Sequence, residues 1–335
     1  MTAAVLRAGV IGLGMMGRHH ARVLRSVHGV ELVGLADAIG DQYGVAAGVP
    51  VVESVQELLR IGIDVAVVAV PTAFHEQVGL ELAAAGVHAL IEKPVALDEQ
   101  AASRLVDAFG AAGLVGAVGH IERYNPALQA LRQRLDAGEL GAVYQIATRR
   151  QGPFPARIAD VGVVKDLATH DIDATAWIAR SPFVHVSALA CTKSGRPHED
   201  LVTVTGQLAD GTVTSHLVNW LTPFKERLFV VTGERGAFVA DTLNADLTFH
   251  ENGTIATTWD QVSAFRGVAE GASTRFAIPK REPLLVEHEA FRDAVLGLPA
   301  DIVTLADGMR TVAVADAVIR AATSREAVTL LPAAA

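Results

Sequence analysis

Apolar residues follow two rhythms along this chain. In the first third, short unbroken apolar runs alternate with stretches in which apolar positions recur every three or four residues. Residues 5–11 are mostly apolar and β-branched, as in a strand buried on both faces. Ala21, Leu24 and Val27 then share one helical face. Residues 31–36 make a second strand. Ser54-Val55-Gln56-Glu57 has capping-box form and opens a short helix ending near Arg60. Residues 64–70 (D-V-A-V-V-A-V) are a third buried strand, broken by Pro71-Thr72, and residues 73–85 read as a helix closed by Gly86. A strand at 88–91, a helix from Asp98 to Ala112 and a strand at 114–119 complete the series. Strands alternating with helices over roughly 120 residues predict a parallel doubly wound sheet.

The rhythm then changes. Asn125-Pro126 reads as an N-cap with proline at the first helical position, followed by a helix to Ala137 and Gly138. A strand at 143–151, a loop at 152–162 and a helix at 165–179 follow. Strands are predicted at 184–191, 201–208, 212–221, 227–232 and 237–241, in hairpin order, with Asp210-Gly211 as a strong turn signal. Helices at 283–296 and 304–323 close the chain. The expected fold class is α/β: a doubly wound parallel sheet in residues 1–121, and a second α/β domain with a mostly antiparallel sheet in residues 122–335.

Residues 9–20 (G-V-I-G-L-G-M-M-G-R-H-H) carry the first chemistry. Gly12, Gly14 and Gly17 stand as G-x-G-x-x-G between a strand and a helix. Gly12 suits the tight turn, Gly14 the approach of a pyrophosphate, and Gly17 close packing of helix on strand. By itself the motif is weak. Here Asp37 ends the second strand about 20 residues beyond the last glycine, where an acid takes ribose hydroxyls. Together these predict a Rossmann domain that binds NAD, because a carboxylate there repels the 2′-phosphate of NADP. Gly12, Gly14, Met15, Met16, Gly17, Asp37, Pro71, Thr72, His75, Glu92, Lys93, His120 and Arg123 are the positions expected against the cofactor.

Composition narrows the partners. Of 335 residues, 50% are hydrophobic and 19% charged, which supports a large core. A net charge of −9 argues against a general nucleic-acid or anionic-membrane surface. The single cysteine, Cys191, rules out an intramolecular disulfide and fits a reducing compartment. Cys and His do not cluster at zinc spacing, so no metal is expected. The N-terminus runs straight into the first strand, and no apolar run reaches the roughly 18 residues of a membrane helix. A cytoplasmic protein is expected.

Three groups could act on a substrate. Lys93 follows a parallel strand at the edge where open α/β sheets bind ligands, and Pro94 fixes the backbone after it. Its alternative role is a surface lysine paired with Glu92. Asp166 and His170 are i, i+4 neighbours, so the carboxylate can orient the imidazole for proton transfer. The same spacing also serves a helix cap and a core histidine. Asp171 and Asp173 are read as structural. Arg149, Arg150 and Arg157 flank Gln151-Gly152-Pro153-Phe154-Pro155 and suit either a phosphate group or ordinary surface charge.

The glycine motif, Glu92-Lys93-Pro94 and Asp166-x-x-x-His170-x-x-Asp173 together resemble the Gfo/Idh/MocA oxidoreductase family over nearly the whole chain, including Asp307-Gly308. The resemblance implies Lys93, Asp166 and His170 as the catalytic set, with Lys93 and His170 interchangeable as proton acceptor on sequence grounds. It also implies an open C-terminal sheet that assembles a homo-oligomer, a dimer or tetramer. Ala168 departs from the glycine common there. Residues 119–126, 149–158 and 169–173 are similar to UDP-N-acetylglucosamine 3-dehydrogenases and to sugar 3-dehydrogenases of aminoglycoside pathways. Lys165 stands where an apolar residue is expected in the nucleotide-sugar enzymes. Lys93, Arg123, Tyr124, Arg149, Arg157, Lys165, Asp166 and His170 are the positions implied against substrate. The expected reaction is NAD-dependent oxidation of a sugar hydroxyl, most simply at C3 of a glucose or glucosamine unit. A polyol 2-dehydrogenase, an NADPH-linked ketosugar reductase and a non-catalytic NAD sensor are the other readings.

Overall fold

The computed structural model describes residues 5–155, 161–253 and 270–330. It divides into two units, Met1–Tyr124 with Arg281–Ala313, and Asn125–Lys280 with Val314–Ala335. In the first unit the apolar runs become β1 (Leu6–Ile11), β2 (Val30–Ala36), β3 (Val51–Val52), β4 (Val65–Val68), β5 (His88–Glu92) and β6 (Gly116–Gly119). The amphipathic stretches between them become α1 (Met15–Leu24), α2 (Val55–Ile61), α3 (His75–Ala84) and α4 (Glu99–Ala111). The strands are parallel in the order β3-β2-β1-β4-β5-β6, as the alternating pattern predicts. The order reverses between β1 and β4, which creates the switch point where such sheets take ligands. Ser54 and Asp98 cap α2 and α4 by accepting the N–H groups of Glu57 and Ala101. The helix expected at 73–85 starts as a 3-10 turn, Thr72–Phe74, before α3.

The boundary differs from the sequence expectation. Residues 281–313 return to the first unit instead of belonging to one domain over 122–335. The reason lies in helix α7 (Pro283–Val295). Its Leu284 packs with Val23 and Val27 of the α1 region, and its Phe291 with Leu6 and Val10 of β1. Periodicity reveals that a helix has an apolar stripe, but not which sheet the stripe will cover.

The second unit contains α5 (Pro126–Asp136), β7 (Val143–Pro153), a π-helical segment (Val164–Ala168), α6 (Thr169–Ala179), β8 (Phe183–Cys191), β9 (Leu201–Leu208), β10 (Val213–Asn219), β11 (Leu221–Gly233), β12 (Gly236–Asp241), β13 (Asp246–Asn252), β14 (Glu270–Arg275) and β15 (Val328–Thr329). The last helix, α8 (Leu305–Ser324), gives its residues from Val314 onward to this unit. Among the described residues, nine strands lie in the order β14-β13-β12-β11-β7-β10-β9-β8-β15. All neighbours are antiparallel except β7 and β10. Strict hairpin order fails there because β7, earlier in the chain, sits between β10 and β11. One sheet face is covered by α5, α6 and the end of α8 through Leu128, Leu131, Ile172, Ile178, Val314 and Val318. The sequence pattern missed β13, β14 and β15: β14 (E-G-A-S-T-R) has no apolar alternation, and β15 is two residues long. Among the described residues, no helix is long and apolar enough to cross a membrane.

Candidate active site

In the glycine loop each glycine has its own steric reason. Gly12 has φ of +88°, and a Cβ there would meet the Ala69 backbone at 2.7 Å. A Cβ at Gly17 would lie 1.8 Å from the Gly12 carbonyl oxygen. At Gly14 an added Cβ meets nothing within 4 Å, so this position is open. Gly14 is also the N-cap of α1, where no side chain caps the helix and the first turn holds no acid. These N–H groups can therefore receive an anion such as a pyrophosphate. Asp37 has a part not read from the sequence. Its Oδ2 accepts the Leu13 N–H at 2.6 Å and its Oδ1 accepts the Ile39 N–H at 2.9 Å, which ties the end of β2 to the glycine loop. The loop, the bare helix start and this carboxylate fit an NAD cofactor.

Lys93 stands just past the C-terminal end of β5, between β4 and β6, and is half-buried. Its N–H donates to Glu92 Oε2 at 3.0 Å. Burial opposes ionisation of Glu92, but the His20 hydrogen bond and the nearby Lys93 charge outweigh it and hold the carboxyl below its usual range. His75 is buried, with Nε2 2.9 Å from the Val70 carbonyl oxygen and Nδ1 2.9 Å from that of Pro94. Its ring is therefore wedged between the end of β4 and the turn after Lys93, and its single N–H when neutral can serve one of these two carbonyls. Burial pushes its imidazole below the usual value.

Three further positions are held inside the first unit. His120 is buried at the end of β6. Arg123 lies 3.5 Å from Asp307, in the Asp307-Gly308 pair of α8. Burial opposes ionisation of Asp307, and Arg123 with Thr304 and Arg310 lowers its carboxyl nonetheless. Tyr124 is buried in the core, and its hydroxyl donates to the Asp301 carbonyl at 3.3 Å. Its ring packs in the apolar cluster that also holds Ile91 of β5 and Leu105 of α4.

In the second unit, Asp166 lies in the π-helical segment and His170 in the first turn of α6. The Thr169 N–H reaches back to the Val164 carbonyl, giving the wider π turn, a feature frequent at functional sites. The helix start is anchored from two sides. Glu199 accepts the Val164 N–H on Oε1 at 3.0 Å and the Val163 N–H on its carbonyl at 2.9 Å. Asp171, next to His170, accepts Arg150 Nε at 2.5 Å and the Thr148 hydroxyl at 2.8 Å. His216 Nδ1 is 2.9 Å from the same hydroxyl, and burial pushes its imidazole down to about 4. Asp166 is buried, and Lys165 Nζ is 3.0 Å from Asp316 of α8.

The expected arginine cluster does not form as one group. Arg149 and Arg150 are consecutive on β7, so the pleat sends them to opposite faces. Arg150 turns inward to Asp171, while Arg149 lies on the face away from α6, exposed and 3.3 Å from Glu226. Arg157 lies outside the described residues. Among the described residues, no group of His, Cys, Asp and Glu could hold a metal ion.

Comparison with known proteins agrees with this geometry. Residues 6–120 match the family model described as an oxidoreductase family with an NAD-binding Rossmann fold, and residues 128–239 match the C-terminal domain of the same family. The chain belongs to the Gfo/Idh/MocA oxidoreductases. It is 31% identical over 293 residues to UDP-N-acetylglucosamine 3-dehydrogenase of Acidithiobacillus ferrooxidans, covering 87% of this chain and 88% of that protein. The crystal structure of that enzyme, GnnA, superposes with a TM-score of 0.85 at 30% identity, covering 95% of this chain and 98% of that one. The NAD complex of GenD2, from gentamicin A biosynthesis, shares the fold with a TM-score of 0.81 at 24% identity, covering 99% and 98%. The scyllo-inositol 2-dehydrogenase (NAD(+)) of Bacillus subtilis is 30% identical over 54% of this chain and 56% of its own length. This Gfo/Idh/MocA chain thus carries Lys93 on its dinucleotide unit and Asp166 with His170 on its second unit.

Sequence reasoning missed His20, Glu287 and His288, all buried in the first unit. A signal was present. Leu284, Glu287, His288 and Phe291 follow the i, i+3, i+4, i+7 stripe of α7, so two polar residues occupy apolar positions.

Proposed function

We propose that this chain oxidises a secondary hydroxyl of a sugar to a ketone, at C3 of a glucose or glucosamine unit, with NAD. The observation that carries the reading is Lys93 just past β5 of the dinucleotide sheet, combined with Asp166 in a π turn and His170 in the first turn of α6, a helix start anchored by Asp171 and Glu199. The likeness to a UDP-N-acetylglucosamine 3-dehydrogenase supports the position of oxidation. His170 takes the hydroxyl proton as general base, and Asp166 orients its ring. Lys93 stabilises the negative charge that grows on the substrate oxygen. NAD, held at Gly12, Gly14, Gly17 and Asp37, supplies the hydride acceptor. Asp37 disfavours the NADPH-linked reductase reading.

Lys93→Ala tests this assignment. It should lower kcat roughly a hundred- to thousandfold while leaving NAD affinity nearly unchanged. Equal loss of turnover and NAD binding would make Lys93 a structural residue. A second reading, a polyol 2-dehydrogenase, is favoured by the likeness to the B. subtilis inositol enzyme, and turnover of inositol alone would establish it.

The protein is further proposed to work in the cytoplasm, where its lone Cys191 stays reduced. It is also proposed to assemble as a dimer or tetramer through the sheet face opposite α5 and α6. The exposed Leu189 and Val213 on that face support this, and light scattering tests it.

A further inference from the structure

We propose that His20 and His288 are positioning residues for Lys93, acting through Glu92 in a buried chain that links helix α1 and helix α7 to the lysine. The inference rests on the catalytic role proposed for Lys93. His20 lies on α1, which begins at the glycine loop, and Glu92 is the last residue of β5. His20 Nε2 is 2.8 Å from Glu92 Oε1, and its Nδ1 is 2.9 Å from His288 Nε2. The two rings meet edge to face with centroids 5.0 Å apart. The second oxygen of Glu92 accepts the Lys93 N–H, so a continuous path runs from α7 through α1 to the lysine backbone.

Residues with exposures of 0% at His20, 2% at His288 and 8% at Glu92 have given up nearly all hydration. In such surroundings each hydrogen bond fixes geometry tightly, and a broken one is costly. Packing alone would be served by apolar residues at these positions, as at Leu284 and Phe291 on the same stripe of α7. With Glu92 ionised, its oxygens only accept, so His20 Nε2 carries the donated proton. Burial, with the neighbouring His20, pushes the His288 imidazole well down, which keeps that ring neutral. Burial and the Glu92 charge push the Glu287 carboxyl well up. His75, packed from α3, is pushed down by its burial and stays neutral too. Glu92 is therefore the acid of this buried group whose charge is favoured, and it adjoins Lys93. Without the donor on His20, Glu92 Oε1 loses its partner while Oε2 keeps the Lys93 N–H, and the lysine turn is held less firmly.

The test compares His20→Leu with His20→Gln in the full chain. Glutamine can place an N–H near the position of the histidine Nε2, and leucine cannot. His20→Leu should lower kcat roughly tenfold or more, with NAD affinity and KM changed less than about threefold, and His20→Gln should recover most of kcat. Unchanged kcat in the leucine variant, or equal loss in both variants, overturns the proposal. If the leucine variant does not fold, His288→Leu probes one link further away: a smaller fall in kcat is expected, and unchanged kcat overturns the chain. Absence of turnover by the unaltered protein counts against the functional reading alone. The chain is then read from the rate at which an acylating reagent labels Lys93, followed by mass spectrometry. His20→Leu should change that rate and His20→Gln should not; an unchanged rate in the leucine variant overturns the proposal.

Discussion

Asp171→Ala should be among the most damaging substitutions in the second unit. Arg150 and Asp171 have side-chain exposures of 3% and 1%, and the carboxylate also accepts the Thr148 hydroxyl. Removing the carboxylate takes away the acceptor of the buried Arg150 Nε, in a site nearly closed to water. Breaking one half of a buried pair costs about 3–5 kcal/mol. Replacing both partners with apolar groups of similar volume is close to neutral, so Arg150→Met combined with Asp171→Leu should recover most of the loss. All three tryptophans of the sequence fall between residues 125 and 280, and Trp177 sits on α6 itself, so fluorescence during urea unfolding reads this unit. The same substitution loosens the helix start that carries His170, and kcat should fall with stability. A loss below about 1 kcal/mol for Asp171→Ala, or a double variant no better than the single one, would refute the reasoning.

Other predictions follow from single sites. Gly17→Ala should abolish NAD binding, because its Cβ would lie 1.8 Å from the Gly12 carbonyl oxygen, whereas Gly14→Ala meets no protein atom and should weaken binding only by intruding on the cofactor; isothermal titration separates the two. Burial holds His216 at about 4, below the roughly 6.5 of an unfolded histidine. Between these values the unfolded chain binds a proton that the fold excludes, so this contribution is present above pH 6.5 and is lost as pH falls toward 4. Melting temperature should fall over that window, and His216→Gln should flatten the slope. Glu287 acts in the opposite sense. Its raised folded value means that stability is present below the unfolded value and declines as pH rises, so Glu287→Gln should raise the melting temperature at neutral pH.

Much of the fold was legible because local physics fixes it. The runs at β1, β4 and β5 are mostly apolar and buried, as strands of a parallel layered sheet are. The glycine motif has steric requirements that the structure meets at Gly12 and Gly17. What was not legible depends on long-range pairing. The central place of β7 follows from a parallel partner, β10, about 70 residues later, which no local pattern marks. Residues 281–313 carry an apolar stripe that fits either sheet on periodicity alone. Arg149 and Arg150 read as one basic patch, yet strand alternation separates them, and the buried acid that claims Arg150 was visible only as a neighbour of His170. The π turn at Asp166 was also hidden, since its residues have ordinary helical preferences.

The most direct test of the proposed activity is NADH formation from NAD over a small panel: UDP-N-acetylglucosamine, UDP-glucose, glucose 6-phosphate, myo-inositol and an aminoglycoside with a free 3″-hydroxyl. The sugar substrate that turns over should then be supplied with deuterium at C3. The account predicts turnover of a sugar and transfer of that deuterium to the cofactor. Turnover of inositol alone, or transfer from any carbon other than C3, would contradict it.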